Sequence, residues 1–142
     1  MAKLMHIDLV TPEKKVFEGS IRSITAPGID GEFGVLPEHA PFATVLAPGV
    51  VEIGHEDGRH ELIAVSGGYI EVTREKVILL VETAERPDEI DVETVRRRKE
   101  EQEKLLKAKD KKDVDYDSIQ IALIREMKRL KAVELLNKRK KT

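Results

Sequence analysis

The chain of 142 residues contains no cysteine, which removes disulfides, thiolate nucleophiles and cysteine-held metals in one step and fits a reducing compartment. Tryptophan is absent and aromatics make up only 4% of the residues, too little for a base-stacking surface or an interfacial membrane anchor. No apolar run approaches the roughly 20 residues that cross a bilayer, and Met1 to Val10 already alternates instead of forming a basic-then-apolar leader. The expectation is a soluble chain with no visible targeting segment. There is no phosphate-cradling Gly-x-x-x-x-Gly-Lys-Ser/Thr loop, so nucleotide hydrolysis is not expected of this chain. The four histidines His6, His39, His55 and His60 form no compact ligand pattern with carboxylates; His55 and His60 flank the turn at Asp57-Gly58 and read as surface groups of a hairpin, so neither a metal nor an enzyme active site is expected.

Two further absences divide the chain. All nine glycines and all six prolines lie at or before Pro87. Residues 1–87 hold 8 Lys/Arg against 14 Asp/Glu, net −6, whereas residues 88–142 hold 17 against 13, net +4. An acidic front and a basic rear imply two surfaces with different partners. Charged residues are 37% of the whole, more than one compact domain needs for solubility, so much of this charge faces water or a partner.

From Leu4 to Glu82 apolar residues recur with period two between glycine and proline breaks, the pattern of short antiparallel strands. Val50–Ile53, Glu61–Val65, Tyr69–Val72 and Val77–Val81 read as strands, the last three as a meander. Asp57-Gly58 marks a hairpin loop that His55 and Glu56 lengthen. Gly67-Gly68 marks a bulge or a close backbone approach. So many short strands in about 85 residues imply an all-β flattened sandwich, since two layers are needed to bury one face of each strand.

After Pro87 the composition is helical. Asp88 or Asp91 can cap a first helix running to about Lys109, Asp110 to Asp115 forms a polar turn, and Asp113 or Asp115 caps a second helix to about Asn137. The result is an antiparallel α-helical hairpin, residues 88–142, behind a β-domain of residues 1–87. The first helix has few core residues (Val92, Val95, Leu105, Leu106) but four opposite-charge pairs at i,i+4: Arg96–Glu100, Arg97–Glu101, Lys99–Glu103 and Glu100–Lys104. Each such pair stabilises an isolated helix by about 0.2–0.5 kcal/mol, enough to form the helix without committing it to one packing site. The second helix is apolar on two sides. Tyr116, Ile119, Leu123, Met127, Leu130 and Val133 make a seam for the first helix, and Ile121, Ile124, Ala132 and Leu135 fall elsewhere, among Arg125, Lys128, Arg129 and Lys131. That second face lies either on the chain's own β-domain or on another partner, and in a switch on each in turn.

Gly31-Glu32-Phe33-Gly34-Val35-Leu36-Pro37-Glu38-His39-Ala40-Pro41 resembles the signature of the ATP synthase epsilon subunit. Val65-Ser66-Gly67-Gly68-Tyr69-Ile70-Glu71-Val72 resembles that family's Ser-Gly-Gly strand, and Asp113-Val114-Asp115-Tyr116 its inter-helix turn. The resemblance implies a non-catalytic central-stalk subunit of a bacterial rotary enzyme, with a sandwich of about ten strands bound to the gamma subunit and resting on the polar loops of the c ring. It implies a peripheral position on the cytoplasmic side of the cell membrane, held only through the complex. Glu32, Phe33 and His39 fall in the region that docks on the c ring and gamma, with His39 read as a backbone-bonded histidine sooner than a titrating one. The hairpin of the family brakes ATP hydrolysis by entering the catalytic head, where Arg125, Lys128, Arg129 and Lys131 would meet acidic segments of the alpha and beta subunits; the tail Lys138-Arg139-Lys140-Lys141 adds charge. Some members bind regulatory ATP through Ile/Leu-Asp-x-x-Arg-Ala on the first helix and arginines on the second. Here Ile90-Asp91 matches, and Arg125 and Arg129 suit the second helix, but Thr94 and Val95 replace the Arg and Ala. Threonine cannot supply the bidentate phosphate contact of a guanidinium, so no cofactor is expected. The competing reading is a non-rotary β-sandwich scaffold whose basic helical arm binds an acidic protein or nucleic acid; the apolar residues among the cations and the scarcity of aromatics disfavour nucleic acid.

Overall fold

The computed structural model describes residues 3–140, the side chain of Lys140 excepted; Lys141 of the basic tail lies outside them. Ten strands precede two helices: β1 (Met5–Val10), β2 (Lys15–Ile21), β3 (Ser23–Gly28), β4 (Gly31–Val35), β5 (Phe42–Leu46), β6 (Gly49–Gly54), β7 (His60–Val65), β8 (Gly68–Val72), β9 (Lys76–Val81), β10 (Ala84–Glu85), α1 (Val92–Ala108) and α2 (Tyr116–Lys140). The strands hydrogen-bond in the order β10-β7-β6-β3-β5-β8-β9-β1-β2, with β4 on β3. All the pairings are antiparallel except β1 with β9.

This ladder folds over at β3. Ser23 to Thr25 pair with β6, while Gly28 pairs with Leu46 of β5. Pro27 lies between and has no N–H to give a ladder; its carbonyl accepts from Ala47 N at 2.8 Å. The two halves then face each other across one core in which Ile7, Leu9, Ile70 and Leu79 of one layer meet Val51, Ile53 and Ile63 of the other, all fully buried. Each such side chain contributes about 1.5–3 kcal/mol by leaving water.

The expected meander needs correction. β8 and β9 do pair, but β7 pairs with β6 and β10, and β8 pairs with β5. The chain changes layers between β7 and β8, at Gly67, where φ is +110°. Gly68 passes so close to Leu80 that a methyl group would run into its carbonyl oxygen. The Gly-Gly pair is thus the close backbone approach, and it carries a crossing that alternation of apolar residues does not reveal. The β6–β7 loop is the lengthened hairpin expected, closed by His55 N to Arg59 O at 2.8 Å with Gly58 at φ +91°.

A 3₁₀ turn at Pro87–Glu89 leads into α1. Asp91 caps α1, its Oδ1 accepting from Thr94 N at 3.3 Å and its Oδ2 from Thr94 Oγ1 at 2.8 Å. Of the four expected i,i+4 pairs, Lys99–Glu103 is closed at 3.3 Å, and Arg96 turns back to Glu93. At the start of α2, Asp115 is bound to Lys109 Nζ at 2.8 Å. α2 continues beyond the expected Asn137 to Lys140, since nothing in Lys138-Arg139-Lys140 breaks a helix.

Candidate functional site

It is α2, sooner than α1, that lies on the sandwich, against β6, β7 and the 3₁₀ turn. A second, small apolar cluster forms there: Ala64 of β7, Ile90, Val95 of α1 and Ala132 of α2 are buried, with Val50, Leu130 and Val133 packed around them. Ala132 therefore does face the chain's own β-domain. The expected seam is not continuous, because Met127 is 47% exposed, and on the second face Ile121 and Ile124 are partly exposed as well.

Arginines frame this small cluster. Arg125 Nη2 donates to Glu82 Oε2 at 3.1 Å. Arg129 Nη2 donates to Glu85 Oε2 at 2.9 Å, its Nε lies 2.8 Å from Glu85 Oε1, and its Nη1 donates to Glu126 Oε2 at 3.0 Å. Burial pulls the Arg129 guanidinium downward, but the two carboxylates outweigh it and hold it further above its already high ordinary value. Arg139 bonds Glu52 of β6 near the far end of α2. Below α2, Arg86 Nε donates to Glu61 Oε2 at 2.7 Å, and His55 Nε2 is 3.0 Å from Glu61 Oε1. Burial raises Glu61, yet Arg86 and His55 together leave it below the usual carboxylate range. Lys128 is half-buried and Lys131 exposed, and among the described residues neither joins an ion pair. The four cations grouped by sequence thus divide into two bound arginines and two unbonded lysines.

Glu82, Glu85, Arg98, Arg125, Glu126 and Arg129 line a cleft of about 290 Å³ between hairpin and sandwich. Asp91 is not among its lining residues, its carboxylate being engaged at the α1 cap. Arg98, one turn beyond Thr94, does reach the cleft; i,i+4 spacing could have indicated it.

At the other end, Glu32 is exposed and lies in β4, just after the turn at Ile29 and Asp30, opposite Pro27. Phe33 is half-buried, meeting Phe42 edge to face at 5.4 Å between centroids, so it belongs partly to the core. His39 Nδ1 is 2.7 Å from Ala40 O and its ring tilts over Phe42 at 5.2 Å. The neighbouring Glu38 has φ +68° and is tied to Lys3 Nζ at 2.9 Å. Phe33 and His39 meet through Phe42, and Glu32 precedes Phe33 in β4.

Two clusters on the outer face of the layer formed by β5, β8, β9, β1 and β2 are missed by sequence reasoning. Cross-strand register places Val45 beside Tyr69 and Tyr69 beside Leu80, an apolar row with side chains 47%, 42% and 51% exposed. Only the strand order makes it visible. The adjacent row holds Asp8, only 8% exposed, with Glu18 directly opposite on β2. His6 Nε2 lies 3.4 Å from both carboxylates. His6, Asp8 and Glu18 have donor atoms close enough for one metal ion, but ammonium groups already fill that role: Lys76 Nζ is 3.0 Å from Asp8, and Lys15 Nζ is 3.1 Å from Glu18 and 3.6 Å from Asp8. The hydrogen bond from Lys76 holds Asp8 below its ordinary value against the upward pull of burial, with Lys15 and His6 adding to it. The cluster is a neutralised charge network. No described helix is long and apolar enough to cross a membrane.

Comparison with known proteins agrees with this geometry. Residues 4–87 match the family model described as ATP synthase, Delta/Epsilon chain, beta-sandwich domain. The chain is 43% identical over 134 residues to the ATP synthase epsilon chain of Desulforamulus reducens, covering 94% of this chain and all of that one. It is 42% identical to that of Moorella thermoacetica over 128 residues, 90% and 95% of the two chains, and 37% identical to that of Halalkalibacterium halodurans over 126 residues, 89% and 94%. The fold is also that of a chain in the mitochondrial ATP synthase of Euglena gracilis, solved as OSCP, F1 and c ring, with TM-score 0.72 and 24% identity over 94% of this chain and 79% of that one. A chain in the central stalk and c ring of Tetrahymena thermophila is similar at TM-score 0.59 and 16% identity over 92% and 97%. With the signature residues in β4 and the loop that follows it, a ten-stranded sandwich and relatives of matching length, the chain belongs to the ATP synthase epsilon family.

Proposed function

We propose that the protein is a non-catalytic stalk subunit of a bacterial rotary ATP synthase, which couples gamma to the c ring through its sandwich and restrains ATP hydrolysis through its hairpin. The observation that carries the reading is the way α2 is seated: a small apolar cluster and a few arginine–glutamate bridges hold it, while Ile121, Ile124 and Met127 stay 37% to 47% exposed along its length. A surface only partly satisfied at home has material left for a second partner. The acidic segments of alpha and beta are that partner, reached first by Lys128 and Lys131 and then by Arg125 and Arg129. Gamma takes the apolar row of Val45, Tyr69 and Leu80, whose exposure on a flat sheet face suits protein contact. Polar loops of the c ring take the group of Glu32, Phe33 and His39, where Glu32 supplies an exposed carboxylate for a basic loop. In this reading the described residues form neither a catalytic centre nor a nucleic-acid surface, and the subunit meets the cytoplasmic side of the membrane only through the complex.

Truncation after Pro87 tests the brake. The shortened subunit is expected to assemble and to raise ATP hydrolysis; unchanged hydrolysis by a fully assembled truncated enzyme removes the assignment. The gamma surface is tested separately by Tyr69→Asp, which should abolish co-purification with gamma while leaving the circular dichroism of the subunit unchanged.

A further inference from the structure

Some members of the family bind a nucleotide in the folded hairpin, and the cleft between hairpin and sandwich in this chain does not fit one. The cleft offers guanidinium groups, the chemistry that takes phosphate bidentately. But Arg125 is bound to Glu82 and Arg129 to both Glu85 and Glu126, and all three carboxylates line the cleft. A phosphate entering would meet three carboxylates, and of the three arginines that line the cleft only Arg98 stands outside an ion pair among the described residues, so two guanidinium groups would have to be stripped of partners they already hold. Thr94, in the place of a further guanidinium, gives its hydroxyl to Asp91.

The same bridges form a series. Arg125, Arg129 and Arg139 span about 21 Å of helix at the α-helical rise, and each binds a sandwich carboxylate: Glu82 and Glu85 at β10, Glu52 on β6. Among the described residues, the buried apolar cluster beneath them is the small one around Ala132. We infer that the hairpin is seated by a nucleotide-independent ionic latch, in which carboxylates of the chain's own sandwich occupy Arg125 and Arg129, two of the three arginines that line the cleft. Release is then an exchange of carboxylates: an acidic segment of a partner protein displaces Glu82, Glu85 and Glu52 in turn. The strength of the seat is set by salt, and Arg125 with the exposed Glu82 yields before Arg129, which is shielded by burial on both sides. The role of release rests on the brake proposed above; the latch itself is a property of the isolated subunit.

The chain has no native cysteine, so spin labels at Gln120→Cys on α2 and Thr73→Cys in the β8–β9 turn report hairpin position in the full-length protein by electron–electron distance measurement. The seated distance is expected to dominate in dilute buffer and to lose population at about 1 M salt, where the screening length falls to about 3 Å. The pair Glu82→Gln, Glu85→Gln should raise the unseated fraction about tenfold in dilute buffer, and millimolar ATP should not restore it. Exchanging the charges, Glu85→Arg with Arg129→Glu, should recover seating. A seated population indifferent to salt and to both glutamine substitutions overturns the latch, as does recovery of seating by ATP. If the labels show release while hydrolysis by the enzyme assembled with the same variant stays at its original level, the latch stands and the brake falls.

Discussion

Gly67 and Gly68 occupy the one step at which the chain leaves the layer of β7 for the layer of β8, and the geometry tolerates no side chain. A methyl at Gly68 meets backbone, which cannot rotate away as a flexible side chain would. Gly68→Ala is expected to destabilise the sandwich by about 1–3 kcal/mol or more, read from urea unfolding. Asp8 provides a second test at the same scale. Its carboxylate lies below its ordinary 3.8 chiefly through Lys76, so its contribution is complete above the unfolded value and is lost as pH falls through the lower folded one. Lys76→Met removes that difference: the variant should be less stable at neutral pH, and should lose less stability than the parent between pH 7 and pH 3. An equal loss in both would show that Asp8 is not held by Lys76. His39, expected to bond backbone, does so through Ala40, because a histidine between two prolines has few other partners within reach.

Among the elements, α2 carries the contact with the sandwich and Ala132 is its point of closest approach, buried completely against Ala64, Ile90 and Val95. Replacement by leucine overfills a site with room for one methyl. Ala132→Leu is expected to unseat the hairpin without melting its helices, so far-ultraviolet circular dichroism stays constant while protease cleavage in the loop between α1 and α2 speeds up. The helices were legible from residue types: Asp91, one of the two candidate caps, caps α1, and α2 runs past the expected Asn137 to Lys140 because no glycine or proline stops it. The seating was legible only in outline. Two-sided apolarity said that α2 needs a second partner, but Glu82, Glu85 and Glu52 lie 43 to 87 residues from the arginines they bind, and charge alone names no pair at that separation. Strands were legible for a similar local reason and their neighbours were not. Period two assigns a face to each residue, yet the β7–β8 crossing and the β1–β9 pair follow from three-dimensional closure.

At the scale of the whole molecule, two cores of unequal size imply two levels of stability. The sandwich core joins seventeen buried residues across both layers, whereas the hairpin seat rests on four. Amide exchange should therefore show β1, β7 and β9 opening only with global unfolding and α1 and α2 opening well before, by a gap that narrows in dilute salt. Equal protection of hairpin and sandwich would contradict a movable arm. The outer-face row of Val45, Tyr69 and Leu80 belongs to this scale as well, since no segment of the chain contains it. One consequence lies in the parallel pairing of β1 with β9. Strand β1 leaves the ribosome some seventy residues ahead of this partner, so the two-layered body cannot close until synthesis has passed Val81. Until then β1 waits with an open edge, and the nascent chain is most vulnerable to aggregation in that interval; the hairpin, emerging after β10, settles on a surface already finished.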